Sequence, residues 1–262
     1  LDAFALGKQR PVFALRIVEF LQAHVHGHEV VVHAIDLVAH AADRLTQLFV
    51  ELLRRNLVVL EVAVGRFRGE RHVLRGLSFA VQGGEYLEVT GGNGAGKTSL
   101  LRTIVGLVHA ESGTVEWNGQ GIHADTRAFH AQLAYLGHES PLKTDLTPAE
   151  NLRYAIGIRR EVGAEQISQA LAEVDASGFA DRPVRTLSAG QRRRVALAGV
   201  ALAAVPLWVL DEPATHLDAA GQELVGQLVE RQLAAGGIVV AAVHASLPVA
   251  ESGTQRLALS SK

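Results

Sequence analysis

The run Gly91-Gly92-Asn93-Gly94-Ala95-Gly96-Lys97-Thr98 fits the pattern G-x-x-x-x-G-K-[ST]. In that pattern a loop of backbone N–H groups cradles phosphate oxygens. Its glycines let the backbone turn inward and approach an anion closely. Lys97 would reach the β and γ phosphates, and the Thr98 hydroxyl would ligate Mg²⁺. The flanks agree with this chemistry. Tyr86 to Thr90 alternates like a strand, and Leu100, Leu101, Ile104, Val105 and Leu107 recur at helical spacing. The N-terminus of the helix behind the loop adds free N–H donors and a partial positive charge. The plain alternative is a glycine-rich turn with a surface lysine, and the flanking strand and helix weigh against it.

A second group follows the apolar run Leu207 to Leu210, which reads as a buried strand. Asp211 stands where a carboxylate at a strand end would hold Mg²⁺, directly or through water. Glu212 is placed to orient or deprotonate an attacking water. A strand-ending Asp-Glu alone is weak evidence, and after a phosphate loop it becomes strong. A third group is Leu187-Ser188-Ala189-Gly190-Gln191, just ahead of a helix that carries Arg192, Arg193 and Arg194. Ser188 reads as a helix N-cap. A helix start with free N–H groups is also what a γ-phosphate needs.

Taken together these runs resemble the ATP-binding-cassette ATPases. Ser188, Gly190 and Gln191 match the signature motif, with Ala189 in place of the usual glycine. His216-Leu217-Asp218 resembles the D-loop, and His244, after the apolar strand Ile238 to Val243, resembles the switch histidine that contacts the γ-phosphate. The resemblance covers about residues 58–250, and its five motifs stand in the family's order. It departs from the family at His138, within Gly137-His138-Glu139, where most members carry glutamine. The adenine-stacking position stays open between Phe67 and Arg68. The run Ala134 to His138, the segment Leu142 to Leu152 and the runs LSAGQRRRVAL and PLWVLDEP are similar to the ATP-binding subunits of cytochrome c maturation haem exporters.

The resemblance implies an α/β P-loop NTPase fold with an antiparallel β region and a helical subdomain, about residues 139–190. It implies ATP and Mg²⁺ as ligands. Glu212, His244 and Lys97 would be catalytic. Gly91 to Thr98, Ser188, Gly190, Gln191, His138 and Asp218 would bind nucleotide, and Thr98 and Asp211 would hold the metal. It further implies integral membrane subunits and a second ATPase copy as partners, at the cytoplasmic face of a bacterial inner membrane. An ATPase of another small exporter, or a cassette ATPase outside transport, are the rival readings.

Composition sets bounds on the rest. The 262 residues are 48% apolar, enough for a sizeable core, and a net charge of −2 gives no reason to expect nucleic acid as a partner. There is no cysteine, so disulfides and thiolate metal sites are excluded. No uninterrupted apolar run approaches the length of a membrane span. Val58 to Val62 and Leu77 to Val81 read as antiparallel strands, and Val115 to Trp117 reads as a strand entering a tight turn at Asn118-Gly119.

A boundary is expected near Leu57, with residues 58–262 forming the cassette and residues 1–57 an extension of uncertain status. His24, His26 and His28 would share one side of a strand and could hold Zn²⁺ or Cu²⁺. An incidental His-rich stretch is favoured, since no carboxylate or cysteine cluster supports a site. Residues Ala42 to Arg55 could form an amphipathic helix that packs on the cassette. Residues 1–56 are expected to be dispensable for nucleotide chemistry. N-terminal sequencing of the native protein checks their status: a terminus near Val58 marks them as upstream of the gene's true start, and a terminus near Leu1 makes them a real extension.

Overall fold

The computed structural model describes residues 59–66, 75–110 and 112–260. The boundary at Leu57, the histidines at 24, 26 and 28, the helix Ala42 to Arg55 and the pair Phe67 and Arg68 lie outside the described residues.

Two sheets organise the fold. Strands β1 (Val59–Arg66), β2 (Arg75–Gln82), β4 (Ser112–Trp117) and β5 (Gln120–Gly121) form an antiparallel sheet in the order β2-β1-β4-β5. The turn joining β4 to β5 has two central residues, Asn118 and Gly119, both with positive φ (53° and 74°). That is the left-handed pair a tight hairpin requires. The second sheet is parallel, in the order β6-β7-β8-β3-β9. It contains β3 (Tyr86–Gly91), β6 (Leu133–Leu136), β7 (Leu207–Asp211), β8 (Ile238–Ala242) and β9 (Thr254–Leu259).

Every residue of β7 and β8 is buried, as continuous apolar runs in a sheet covered on both faces should be. The two-residue period of the strands divides the core in two. Leu207, Val209, Ile238, Val240, Leu87 and Val89 point to one face, where they meet Leu100, Leu101 and Ile104 of helix α1 (Lys97–Ile104). Trp208, Leu210, Val239 and Ala241 point to the other. There they meet helices α3 (Pro148–Gly157), α4 (Ala164–Glu173), α5 (Ala189–Leu202) and α6 (Ala219–Ala234). A short helix, α2 (Thr126–Ala131), leads into β6. The α/β cassette fold, with its antiparallel region, is thus present as the sequence led us to expect.

One expectation fails. Leu107 does not continue the apolar face of α1. The helix ends at Ile104, Gly106 takes φ 76°, and Leu107 is 60% exposed. Gly106 N–H donates to the Thr103 carbonyl and Leu107 N–H to the Arg102 carbonyl. This pair of bonds is a Schellman stop, which a left-handed glycine makes possible. Periodicity without attention to Gly106 overran the helix by one turn.

Gly226, inside α6, has the opposite requirement. A β-carbon there would lie 2.4 Å from the Pro248 carbonyl oxygen in the loop after β8. Alanine normally stabilises a helix interior by roughly 0.5–1 kcal/mol over glycine. Gly226→Ala is expected instead to destabilise by about 1–3 kcal/mol through this collision. Urea unfolding of the full chain measures the sign.

Candidate nucleotide site

Four parallel strands deliver their carboxyl ends to one edge, the place where open α/β sheets bind ligands. β3 leads into Gly91, β6 into Gly137 and His138, β7 into Asp211 and Glu212, and β8 into Val243 and His244. A cavity of about 440 Å³ opens there, lined by Gly92 to Ser99, His138, Glu212 and His244. The structure therefore brings the phosphate loop together with three side chains that lie 40 or more residues away in sequence.

The loop is held by steric necessity. A β-carbon on Gly91 would stand 2.5 Å from the Leu259 carbonyl oxygen, and Gly94 and Gly96 have φ of 81° and 98°. No side chain caps α1 at Gly96, so its first-turn N–H groups are left for an anion. Lys97 is buried, and its Nζ donates to the Gly91 carbonyl at 2.7 Å and reaches the Gly92 carbonyl at 3.4 Å. The ammonium is thereby kept inside the loop that would receive phosphate.

Asp211 is 1% exposed, and among the described residues no well-directed hydrogen bond reaches either carboxylate oxygen, with the Thr98 hydroxyl close by. Burial raises its pKa, the neighbouring Thr98 hydroxyl lowers it in part, and the Glu212 charge pushes it further up. An ionised carboxylate without a partner is costly in a protein interior. A hard divalent cation with oxygen ligands is the partner this chemistry fits. Thr98 and Asp211 are the residues that could hold it.

Glu212 adopts φ 51°, an uncommon left-handed conformation for a residue with a β-carbon. Its N–H donates to the Ala242 carbonyl at 2.9 Å. Its Oε1 lies 2.7 Å from Nε2 of His244. Its Oε2 lies 3.6 Å from Nδ1 of His138 and accepts from the Thr215 hydroxyl at 3.3 Å. The carboxylate thus stands between two imidazoles at the cavity wall. A base so placed can accept a proton from water.

Ser188, Gly190, Gln191 and Asp218 do not line this cavity. Ser188 is the N-cap of α5: its Oγ accepts from Gln191 N–H at 3.2 Å, and Gln191 Oε1 accepts from Ser188 N–H at 2.9 Å. This reciprocal pair is a capping box. A β-carbon on Gly190 would lie 2.7 Å from the His216 carbonyl oxygen, so the signature and the D-loop are in close backbone contact. Asp218 caps α6 by accepting from Gly221 N–H at 2.9 Å, and it lies 3.4 Å from Arg194.

The family model described as "ABC transporter" matches residues 74–215. The chain belongs to the ABC transporter family. The cytochrome c biogenesis ATP-binding export protein CcmA of Shigella flexneri is 44% identical over 192 residues, which cover 73% of this chain and 91% of that protein. CcmA of Escherichia coli K12 is 43% identical over the same share of each. A solved ATP-binding subunit of an ABC transporter superposes with a TM-score of 0.65 at 26% identity, covering 71% of this chain and 79% of that one. A putative ABC transporter ATP-binding protein from Pyrococcus furiosus superposes with a TM-score of 0.68 at 24% identity, covering 77% and 97%. The chain is an ABC-type ATPase, and nucleotide is its substrate.

Arg193 was not singled out from the sequence of this ABC ATPase. It is 6% exposed, on the buried side of α5 with Ala196 and Leu197. The guanidinium donates to the carbonyls of Pro213 (3.1 Å), Gly137 (3.0 Å), Glu212 (2.6 Å) and Asp211. Burial lowers its pKa, and the charges of Asp211 and Glu212 raise it. The available signal was a cation three and four residues before Ala196 and Leu197, on a face that is otherwise apolar.

The unpartnered Asp211 sets a pH prediction. Its pKa in the folded protein lies above the ordinary 3.8. The folded state therefore binds the proton more tightly than the unfolded state, and stability falls as pH rises through the folded pKa. Asp211→Asn should stabilise the nucleotide-free protein at neutral pH by about 1 kcal/mol or more. The gain should vanish when the medium is acidified below the ordinary Asp range. Urea unfolding of both proteins at neutral and acid pH checks this, and an equal difference at both would contradict it.

Proposed function

We propose that this chain is the ATP-hydrolysing subunit of an exporter serving cytochrome c biogenesis, with haem export or release of a haem-loaded chaperone as the coupled work. The observation that carries the reading is the division of the site. The phosphate loop, His138, Glu212 and His244 share one cavity, while the signature residues Ser188, Gly190 and Gln191 lie outside it. A second copy placed head to tail would bring its signature helix to the open side of that cavity. The identity of 44% over 91% of the Shigella export protein supports the choice of system.

In this reading the first-turn N–H groups and Lys97 hold the β and γ phosphates. Gly91, Gly92, Asn93, Gly94, Ala95 and Gly96 shape the cradle. Thr98 and Asp211 would hold Mg²⁺, which would neutralise phosphate charge. Glu212 accepts a proton as water attacks the γ-phosphorus and the bond to the bridging oxygen breaks. ADP and phosphate leave. His244 steadies Glu212 and meets the γ-phosphate. Ser188, Gly190 and Gln191 of one copy close on the nucleotide of the other, and Asp218 braces the α6 start beside them.

Residues 58–262 form the cassette in this proposal, with residues 139–190 as the helical subdomain. That subdomain offers a face to a membrane subunit: Tyr154 and Ile158 are 53% and 73% exposed, and Lys143 Nζ sits 4.5 Å over the Tyr154 ring. Contact there places the chain at the cytoplasmic face of the inner membrane.

Glu212→Gln should lower turnover by roughly 10²–10⁴-fold, the range lost with a positioned general base. It should also accumulate an ATP-bound dimer on size exclusion. Ser188→Arg should abolish that dimer while leaving ATP binding to the single subunit intact. Full turnover of Glu212→Gln with its membrane partners, or an unchanged dimer in Ser188→Arg, would overturn the reading.

A further inference from the structure

Arg193 presents a physical problem. A buried cation costs several kcal/mol of desolvation, and its hydrogen bonds go to carbonyls rather than to a carboxylate. An apolar side chain would fill the same space without that cost. The bonds are distributed with a pattern. One goes to Gly137, the residue before His138, and three go to the consecutive residues Asp211, Glu212 and Pro213. Those peptides contain the left-handed residue Glu212, a conformation unfavourable for a residue with a β-carbon. Fixing the carbonyls on either side of Glu212 fixes its Cα–Cβ direction. Fixing Gly137 fixes the chain that presents His138. One guanidinium thus sets both members of the His138–Glu212 pair, which lie 3.6 Å apart.

Arg193 also lies on α5, five residues after the capping serine Ser188. We infer that Arg193 is a positioning residue, which aims Glu212 at the γ-phosphate and ties that aim to the helix that grips the partner copy's nucleotide. The inference rests on the assignment of Glu212 as general base and on the head-to-tail dimer proposed above. Arg193 does not line the nucleotide cavity. Its effect runs through Glu212, and that is what an experiment can separate.

The test is a double-mutant cycle on the full chain with its co-purified membrane subunits, using Mg-ATP turnover. Arg193→Met should lower kcat by roughly 10²-fold, as misplacement of a reacting group does, with KM for ATP changed by less than about twofold. Arg193→Lys should retain more activity than Arg193→Met, because an ammonium can still reach some of the carbonyls. In a Glu212→Gln background, Arg193→Met should lower the residual turnover by less than about twofold, since the group it aims is gone. Thermal unfolding identifies a variant that does not fold, and the same cycle is then read with Arg193→Lys. Unchanged kcat in a folded Arg193 variant overturns the proposal. So does an equal loss in both backgrounds, which would mark a general structural role. If Glu212→Gln alone keeps full turnover, the base assignment itself fails and the proposal goes with it.

Discussion

The register of the parallel sheet is the constraint on which everything else depends. Val89 of β3 pairs with Ala242 of β8, and Ala242 pairs with Asp211 of β7. Side chains alternate along each strand, so a slip of one residue would send every apolar group to the wrong face. Here the alternation fills one core above the sheet and another below it. The same register brings the ends of β3, β7 and β8 level. The phosphate loop, the Asp211-Glu212 pair and His244 then emerge side by side. Chemistry at the edge is a by-product of the correct burial of Val209, Val240 and Leu87.

Most charges at the site find partners within the chain. Lys97 is satisfied by the loop it serves, at Gly91. Glu212 is shared between His244, His138 and Thr215. The buried Asp211 carboxylate has the Thr98 hydroxyl as its neighbour, and among the described residues no well-directed hydrogen bond reaches either oxygen. A buried carboxylate thus lies at the end of β7, next to Glu212 of the cavity wall, close to a ring of backbone donors. This is the polarity that a cation and its phosphate would meet together.

Much of this was legible in the sequence, for identifiable reasons. A strongly patterned glycine loop and fully apolar strands such as Leu207 to Leu210 leave few alternatives, and Asn118-Gly119 names its own turn. The stop of α1 was written in Gly106 but looked like the continuation of an apolar face. β9 was missed because Thr254 to Leu259 sits at the sheet edge, with half-exposed residues and no clean apolar run. Arg193 could not be assigned, because its partners are carbonyls. A carbonyl carries no residue type for sequence reasoning to read. The left-handed Glu212 was hidden for the same reason: backbone conformation there is imposed by neighbours on β8 and α5, not by the glutamate.

The capping box of α5 has a consequence for recognition kinetics. Ser188 Oγ accepts a bond from its own helix at Gln191. A hydroxyl that accepts in this way still has its proton to give. The cap therefore pins the rotamer of an exposed serine whose hydroxyl keeps its proton to give. Side-chain entropy at this position is lost when the helix forms, not when two subunits meet. In the proposed head-to-tail dimer, the encounter between copies would need no local search by that hydroxyl. Closure and reopening of that proposed dimer would then be governed by the arrival and cleavage of phosphate, with little delay from reordering at the serine.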